Sequence, residues 1–384
     1  MDTIEIAAEL WRGGTSKGLF FHERDLPADP VRRDALLLRA IGSPDPYGKQ
    51  IDGLGAATSS TSKVVLVRPS TRPGCAVEYR FGAVAIDRPV IDWSGNCGNL
   101  TTAVGPFALL HGLVTPVEGV TEVGMWQDNL SERIVAHVPV RNGRPVESGA
   151  FRMDGVAFPG GEILLEFLDP GGGDGALLPT GKVAEALEVP GVGTLEVSLI
   201  NAGNPTVFVA AAGLGLDGTE LQPDVNNRPS LLETCERVRA HAAVRMGLAD
   251  SAESATRSRP ATPKLSFVAP PAAYVSSAGR PVTADEVDLL ARILSMGTLH
   301  HAYTGTGAVA LAVAAALPGS VVARAARGGA SARVRIGHPS GAMTVGAEVR
   351  NQDGGWNVER ALMSRSARRL MSGRVHVPAV VADD

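Results

Sequence analysis

Two uncharged segments of helical length constrain the fold of this chain more than any other feature. The first covers 100–111 and the second 308–317, and each directly follows a glycine-rich stretch. A helix that is apolar on all sides belongs in a protein interior, where other elements surround it. One such helix in each half of the chain predicts a duplicated fold, in which each half wraps its strands around a buried helix.

The stretches in front of the two helices, 94–99 and 304–307, are the strongest indication of a ligand site. They consist of Ser-Gly-Asn-Cys-Gly-Asn and Thr-Gly-Thr-Gly. The start of a helix offers free backbone N–H groups and the positive end of the helix dipole, and both favour a carboxylate or a phosphate. We therefore predict that the two halves hold a small anion between them.

Composition excludes several classes of protein. The 384 residues carry a formal net charge of −4, which gives no basic surface for a nucleic acid. Three cysteines without regular spacing exclude a disulfide framework and a zinc ribbon, and no histidine or carboxylate pair has metal-ligand spacing. The acidic N-terminus lacks the apolar core of a signal peptide, and 308–317 is too short to cross a membrane. We expect a soluble, cytoplasmic protein without a metal, either a monomer or a homodimer.

Lysine is rare in this chain, since only five of its 36 basic residues are lysines. An amine can give up its proton when it is desolvated, whereas a guanidinium essentially cannot. Lys63 follows the hydroxyl-rich stretch 58–62 and precedes the apolar strand 64–67. Its ammonium either emerges from the strand end into a site, where it serves as a base, or lies on the surface at a strand edge. The sequence around it favours neither interpretation.

Three further positions carry candidate chemistry. Cys97 stands at a helix start, where a thiolate base or nucleophile is favoured, although a buried structural cysteine fits the same position. The turn 12–18 has the composition of a phosphate-binding loop without the Walker spacing, and we expect it to offer hydroxyl and N–H donors to a carboxylate. Asn204 either donates its amide to a ligand or belongs to a plain Asn-Pro turn.

Apolar periodicity and Gly/Pro turns predict the remaining elements. Short strands alternate with turns, and a second half that repeats the first begins near Val189. Helices are predicted over 30–41, 230–246, 284–295 and 358–371. In the last of these helices, the predicted solvated face carries Arg365, Arg368 and Arg369.

Seven segments, in order over nearly the whole chain, match one known family. They are Arg12–Gly18, Ile41–Pro46, Ala57–Lys63, Asp92–Asn99, Gly203–Thr206, Thr262–Lys264 and Ser295–Gly297 with His301. With these segments the chain resembles the PrpF family, which comprises 2-methylaconitate isomerases, methylitaconate Δ-isomerase and 4-oxalomesaconate tautomerase.

The resemblance implies an α+β, diaminopimelate-epimerase-like fold of two β-barrel-like rolls, each around a central apolar helix. The implied domains are 1–187, which the C-terminal tail can complete, and 188–384. The implied activity is a cofactor-independent isomerisation of an unsaturated di- or tricarboxylate. In the family Lys63 would move the proton, with Ser16 and Cys97 close to the substrate. The further substrate contacts expected at the helix starts and the turns beside them are Thr15, Asn96, Gly98, Asn99, Asn204, His301, Gly305, Thr306 and Gly307.

One position separates the implied mechanism from that of the epimerases. Those enzymes resemble this chain at 97–99 and 204–205 but place a second cysteine before the second helix, where Thr304 stands here. A hydroxyl cannot act as a thiolate base at neutral pH, so a one-base allylic proton shift fits better than inversion between two thiols. The alternatives are an amino-acid racemase or epimerase and a non-catalytic tricarboxylate-binding accessory protein. Which acid is the substrate, and whether Cys97 moves a proton or only lines the site, stays open at this point.

Overall fold

The structure, a computed structural model, describes residues 3–171, 176–352 and 355–378, and in them strands predominate over helices. Long apolar or alternating runs between Gly/Pro turns form the strands, as their composition favours. The elements up to residue 168 are β1 (Thr3–Gly13), β2 (Ser16–His22), α1 (Pro30–Ile41), β3 (Lys63–Pro69), β4 (Val77–Val84), β5 (Ile91–Asp92), α2 (Gly98–Leu110), β6 (Gly119–Gln127), β7 (Glu132–Arg141), β8 (Arg144–Pro145) and β9 (Ile163–Leu168).

The remaining elements follow the same alternation with more helix between strands. They are β10 (Glu185–Val189), β11 (Gly193–Ala202), β12 (Asn204–Ala210), α3 (Gln222–Asn226), α4 (Pro229–Arg245), α5 (Ala252–Ser258), β13 (Lys264–Ala269), β14 (Tyr274–Val275), β15 (Pro281–Val282), β16 (Leu289–Ser295), β17 (Thr298–Leu299), α6 (Gly305–Ala316), α7 (Val321–Ala325), β18 (Arg333–His338), β19 (Gly341–Gln352), β20 (Gly355–Arg365) and β21 (Ala367–Pro378).

The same order of strand pairings occurs twice along the chain. In the first half, β1–β2 is antiparallel, β2–β3 parallel, β3–β4 antiparallel, β4–β6 parallel and β6–β7 antiparallel. In the second half, β11–β12, β12–β13, β13–β16, β16–β18 and β18–β19 repeat these directions in the same order. The short strand before each apolar helix, β5 or β17, pairs with β4 or β16. Thus α2 and α6 occupy equivalent places in the two topologies.

Pairings near both ends join the two halves into one connected sheet of 19 strands, with β14 and β15 forming a separate hairpin. The last strand, β21, pairs with β1, just as β10 pairs with β11. Strand β9 pairs with β7 on one side and with β20 on the other. The chain therefore has a mixed fold with a large sheet and few helices.

Both apolar helices are buried, as their composition predicts. Every residue of α2 from Gly98 to Leu109 is buried, and so is every residue of α6 from Gly305 to Ala315. The small side chains of α6 let strands β11, β12 and β19 pack close to its backbone. The cores around these helices fix where both helix starts lie.

Two predicted helices are wrong. Segment 284–295 begins with a single turn of 3-10 helix, Ala284–Glu286, and continues as β16, whose residues are all buried. A strand that is buried on both faces shows no alternation and is indistinguishable from a buried helix by periodicity. Segment 358–371 lies in β20 and β21. Arg365, expected on a solvated face, ends β20 and is 4% exposed.

Candidate active site

The starts of α2 and α6 meet at the junction of the two halves. A Cβ atom on Gly98 would lie 2.8 Å from the backbone nitrogen of Thr306, and one on Gly305 would lie 2.6 Å from that of Asn99. Real Cβ atoms do not approach backbone so closely, so only glycine permits this contact. Since both helix starts are positive ends of dipoles, their meeting point strongly favours an anion.

The two starts differ in how they are capped. Cys97, before α2, forms no side-chain cap, and the backbone N–H groups of Gly98 and Asn99 have no acceptor among the described residues. At α6, the Thr304 hydroxyl accepts a hydrogen bond of 3.2 Å from the N–H of Gly307. The first start therefore keeps its donors open, whereas the Gly307 donor, expected to contact substrate, is already occupied.

A small cavity lies beside the two starts. It brings together seven of the residues that the sequence singled out: Ser16, Lys63, Asn96, Cys97, Asn99, Asn204 and Thr306. Of its other lining residues, Gly95 and Thr304 lie in the two glycine-rich stretches, and Lys264 and Ser295 lie in matched family segments without a predicted role. The sequence did not indicate the remaining ones, Phe81, Ala83, Ala261 and His300. None of these lining residues is acidic, and two of them are lysines.

Lys63 begins β3, and its side chain is buried in this cavity, with 6% of the residue exposed. The turn before it is held by polar bonds, including one of 2.7 Å from the Ser62 hydroxyl to Gln50 Oε1. Its Nζ lies 4.9 Å from the centroid of the Phe81 ring. Within the described part of the chain this ammonium has no hydrogen-bond acceptor, which leaves its protons available to a ligand.

Cys97 and Ser16 face each other across the cavity. The Cys97 thiol lies 3.9 Å from the Ser16 hydroxyl, toward which it donates. Ser16 is the first residue of β2, directly after the turn that the sequence predicted to offer donors. The structure thus brings the two residues expected near the substrate into one place with Lys63.

Asn99 is held by its side chain, so its contribution to the site is its backbone N–H. Its Nδ2 donates to the Thr15 hydroxyl at 3.0 Å, and its Oδ1 accepts from Arg365 Nε at 3.2 Å. Thr15 does not line the cavity. Burial lowers the pKa of Arg365 to about 10, and its guanidinium has no carboxylate partner among the described residues. Thr15 and Arg365 are therefore positioning residues for the α2 start.

Asn204 ties the two helix starts together. Its Oδ1 accepts from the N–H of Asn96 at 2.8 Å, and its Nδ2 donates to the Asn96 carbonyl at 2.9 Å and to the Thr306 hydroxyl at 2.8 Å. This amide, expected to contact a ligand, is saturated by protein groups. Its role in this geometry is to fix the distance between the two starts.

Asn96 instead supplies the free side-chain donor. Its Oδ1 accepts from the N–H of Cys97 at 2.7 Å and from the Tyr79 and Thr101 hydroxyls at 3.3 Å each, which orients the amide. Its Nδ2 is buried and has no partner among the residues that the structure describes. A buried donor without an acceptor is costly, so this group indicates the place of a missing acceptor such as a carboxylate oxygen.

His300, not His301, lines the cavity. His300 Nδ1 accepts from the N–H of Ala302 at 3.1 Å, and burial keeps the pKa of the ring well below its ordinary value. The neutral ring therefore carries its proton on Nε2. His301 stacks on it and lies 3.3 Å from the Ser60 hydroxyl. Because the two histidines are adjacent, the sequence does not indicate which of them faces the site.

Lys264, the second lysine of the cavity, begins β13. Its Nζ donates to the Ala261 carbonyl at 3.1 Å and to the Ser295 hydroxyl at 3.4 Å. Burial, with a smaller effect from Lys63, lowers the pKa of Lys264 to about 8. A polar turn followed by Lys and an apolar strand is the pattern that singled out Lys63, and it could have indicated Lys264 too.

The PrpF family model, described as "PrpF protein", matches residues 3–378. The chain belongs to this family. It is 54% identical over 387 residues to the 2-methyl-aconitate isomerase of Cupriavidus necator, with 98% of each chain covered. The crystal structure of a methylitaconate-delta-isomerase matches with a TM-score of 0.77 at 38% identity, over 100% of this chain and 98% of that one. The PrpF relatives named here are isomerases.

A more distant likeness concerns the fold alone. A hydroxyproline epimerase from Agrobacterium vitis, solved with trans-4-hydroxy-L-proline, matches with a TM-score of 0.57 at 12% identity, over 98% of this PrpF protein and 94% of that chain.

No helix in the described residues is long and apolar enough to cross a membrane. In the same residues, no three His, Cys, Asp or Glu side chains form a group that could hold a metal ion.

Proposed function

We propose that this PrpF protein is a cofactor-independent isomerase of an unsaturated di- or tricarboxylic acid, with a 2-methylaconitate-type acid as its substrate. Family membership and the names of the relatives support the reaction class and the substrate. The observation that carries the proposal is the cavity at the two helix starts, where Lys63 is buried and its amino group has no hydrogen-bond partner among the described residues.

The lining of the cavity suits an acid with two or more carboxylates. Within the described ranges, the N–H groups of Gly98 and Asn99 and the Nδ2 of Asn96 are donors without acceptors. Two lysines supply positive charge, and the lining holds no acidic side chain to compensate it. A polyanion brings the acceptors and the negative charge that this arrangement lacks.

In the proposed reaction Lys63, as a neutral amine, removes a proton from the carbon next to the double bond. The electron pair of that C–H bond moves into the conjugated carboxylate and forms a dienolate, whose charge the N–H donors of α2 stabilise. The Lys63 ammonium then returns the proton. Return to the same carbon after bond rotation exchanges cis and trans, whereas return to the far carbon moves the double bond. No electrons are gained or lost overall.

The proposed architecture is two β-barrel-like rolls, each around one apolar helix, over residues 1–187 and 188–384. The repeated order of pairings supports this division, and the pairing of β21 with β1 supports completion of the first roll by the C-terminal tail. Since β10 pairs with β11, a boundary just before Glu185 suits the pairings better than one inside β10. In this arrangement the cavity lies between the two units.

Proton exchange with solvent tests the central role of Lys63. The wild-type protein is incubated with 2-methyl-trans-aconitate or trans-aconitate in deuterated water and followed by proton NMR and ultraviolet absorbance. Lys63→Ala is expected to lower deuterium incorporation and isomerisation by about 100-fold to 10,000-fold, the usual range for removal of a general base. The control is Lys182→Ala, since Lys182 is exposed. Wild-type exchange in Lys63→Ala would contradict the assignment, and no turnover of either acid by the wild type would contradict the proposed function.

A further inference from the structure

Lys264 and Lys63 occupy equivalent positions in the repeated topology. Lys63 is the first residue of β3, which pairs in parallel with β2, and Lys264 is the first residue of β13, which pairs in parallel with β12. Each is 6% exposed, and both line the same cavity. Each half of the chain therefore delivers one buried amine to the place where the helix starts meet.

The two amines differ in how they are held. Lys63 Nζ has no acceptor in the described part of the chain, whereas Lys264 Nζ is bound by the Ala261 carbonyl and the Ser295 hydroxyl. The N–H of Ala261 donates at 2.6 Å to Asp92 Oδ2, a group of the first half. The acceptor that fixes Lys264 is thus anchored across the junction. A fixed ammonium suits binding of charge, and a free one suits movement of a proton.

Lys264 has no carboxylate partner in the described part of the chain. Burial and the neighbouring lysine disfavour its charge, whereas Cys97 and Asp92 favour it. Both oxygens of Asp92 already accept backbone N–H groups. The ionisable groups that face Lys264 from the elements around it are Lys63 on β3, Asp92 on β5, Cys97 before α2, Arg239 on α4 and His300 before α6.

We propose that Lys264 binds a substrate carboxylate as an ammonium while Lys63 moves the proton, so that the two equivalent lysines have different roles. This inference rests on the proposed function, because it needs a substrate with at least two carboxylates. One carboxylate lies on the open start of α2, and a second pairs with Lys264. Because Lys264 is only partly protonated near pH 8, binding of the anion draws a proton from solvent onto its Nζ.

The test is calorimetry with propane-1,2,3-tricarboxylate, a saturated acid that the enzyme cannot isomerise. Titrations at pH 8 in Hepes and in Tris, whose ionisation enthalpies differ, count the protons taken up on binding. The wild type is expected to take up about half a proton, since half of the amines are neutral when the pH equals the pKa. Lys264→Met is expected to weaken binding by about 10- to 100-fold and to abolish the uptake.

A second variant distinguishes the effect of the positive charge on Lys264 from the effect of its protonation change. Lys264→Arg keeps the positive charge but cannot lose it, so binding should persist in large part while the proton uptake disappears. A merely structural role for Lys264 would not remove proton uptake from a variant that still binds. The exposed Lys182→Met is the matched surface control and should keep both binding and uptake.

The outcomes distinguish this inference from the function on which it rests. Unchanged affinity of Lys264→Met would overturn the role of Lys264, and so would unchanged proton uptake in that variant. If the wild type isomerises and exchanges deuterium normally in those cases, the proposed function stands without this role. If the wild type neither exchanges deuterium nor binds the tricarboxylate, both fail.

Discussion

The start of α2 and the start of α6 hold equivalent places in two copies of one topology, yet in the described residues only the second carries a side-chain cap. Cys97 caps none of the donors of α2, and Thr304 caps Gly307 in α6. A thiol is a weak acceptor and a hydroxyl a good one, so a single side chain decides whether the third N–H of each helix remains available. The equivalent starts therefore differ by one open donor.

The residues that lie over the two helix starts also differ in what they bind. At α2 the turn residue Thr15 binds only the side chain of Asn99. At α6 the turn residue Asn204 binds Thr306 and also the backbone of Asn96, and so joins both starts. The second half therefore acts mainly as a clamp that positions the first.

The largest effect is expected where the two starts touch. Gly305→Ala places a Cβ 2.6 Å from the backbone of Asn99, and the helices must separate to accommodate it. We expect isomerase activity to fall by about 100-fold or more, because a displacement of about 1 Å at a site has that effect. Steady-state kinetics measure this loss. Gly373→Ala is the control, since nothing lies within 4 Å of a Cβ there. Activity near the wild-type level in Gly305→Ala would show that the contact does not position the site.

The features of this site that depend on a single segment could be predicted from local sequence patterns. The glycine-rich starts and the burial of both helices follow from neighbouring residues in the sequence. For Lys63 and Lys264 the local pattern indicates a strand start but not whether the amine enters a site. That distinction, and the choice between His300 and His301, required knowledge of how the halves meet. β16 was mistaken for a helix because a strand covered on both faces loses its alternation. Burial depends on how the cores pack and not on local patterns, so the sequence could not place Arg365 next to Asn99.

The next prediction concerns the second half of the chain, where Glu132 holds the turn next to Asn204. Glu132 Oε1 accepts from the N–H of Gly203, beside Asn204, at 3.1 Å, and its Oε2 is buried with no partner among the described residues. Burial raises the pKa of Glu132 from 4.5 to about 8. The carboxyl thus stays protonated in the folded protein while it ionises in the unfolded chain. Stability must then fall as the pH rises from about 4.5 to about 8, by about 3 kcal/mol between pH 5 and pH 7.5.

Glu132→Gln removes this titration because an amide is neutral throughout that range. The pH dependence of the free energy of unfolding, measured by urea denaturation, should become flatter by about 3 kcal/mol over the same window. The exposed Glu188→Gln is the matched control. Identical slopes for wild type and Glu132→Gln would mean that Glu132 ionises normally and that the turn over α6 is not held by a neutral carboxyl.

The smallest effect tests the difference between the caps themselves. Serine is a good N-cap and cysteine is not, so Cys97→Ser should let the side chain accept from the first turn of α2, as Thr304 does at α6. The free energy of unfolding should rise by about 1 kcal/mol, while kcat/KM falls about tenfold because an open donor has been lost. Cys97→Ala leaves the donors open and should retain more activity than Cys97→Ser. Thr304→Ser, which keeps its cap, is the control. If Cys97→Ala were as inactive as Lys63→Ala, the thiol itself would take part in proton transfer, and the two starts would differ in chemistry as well as in capping.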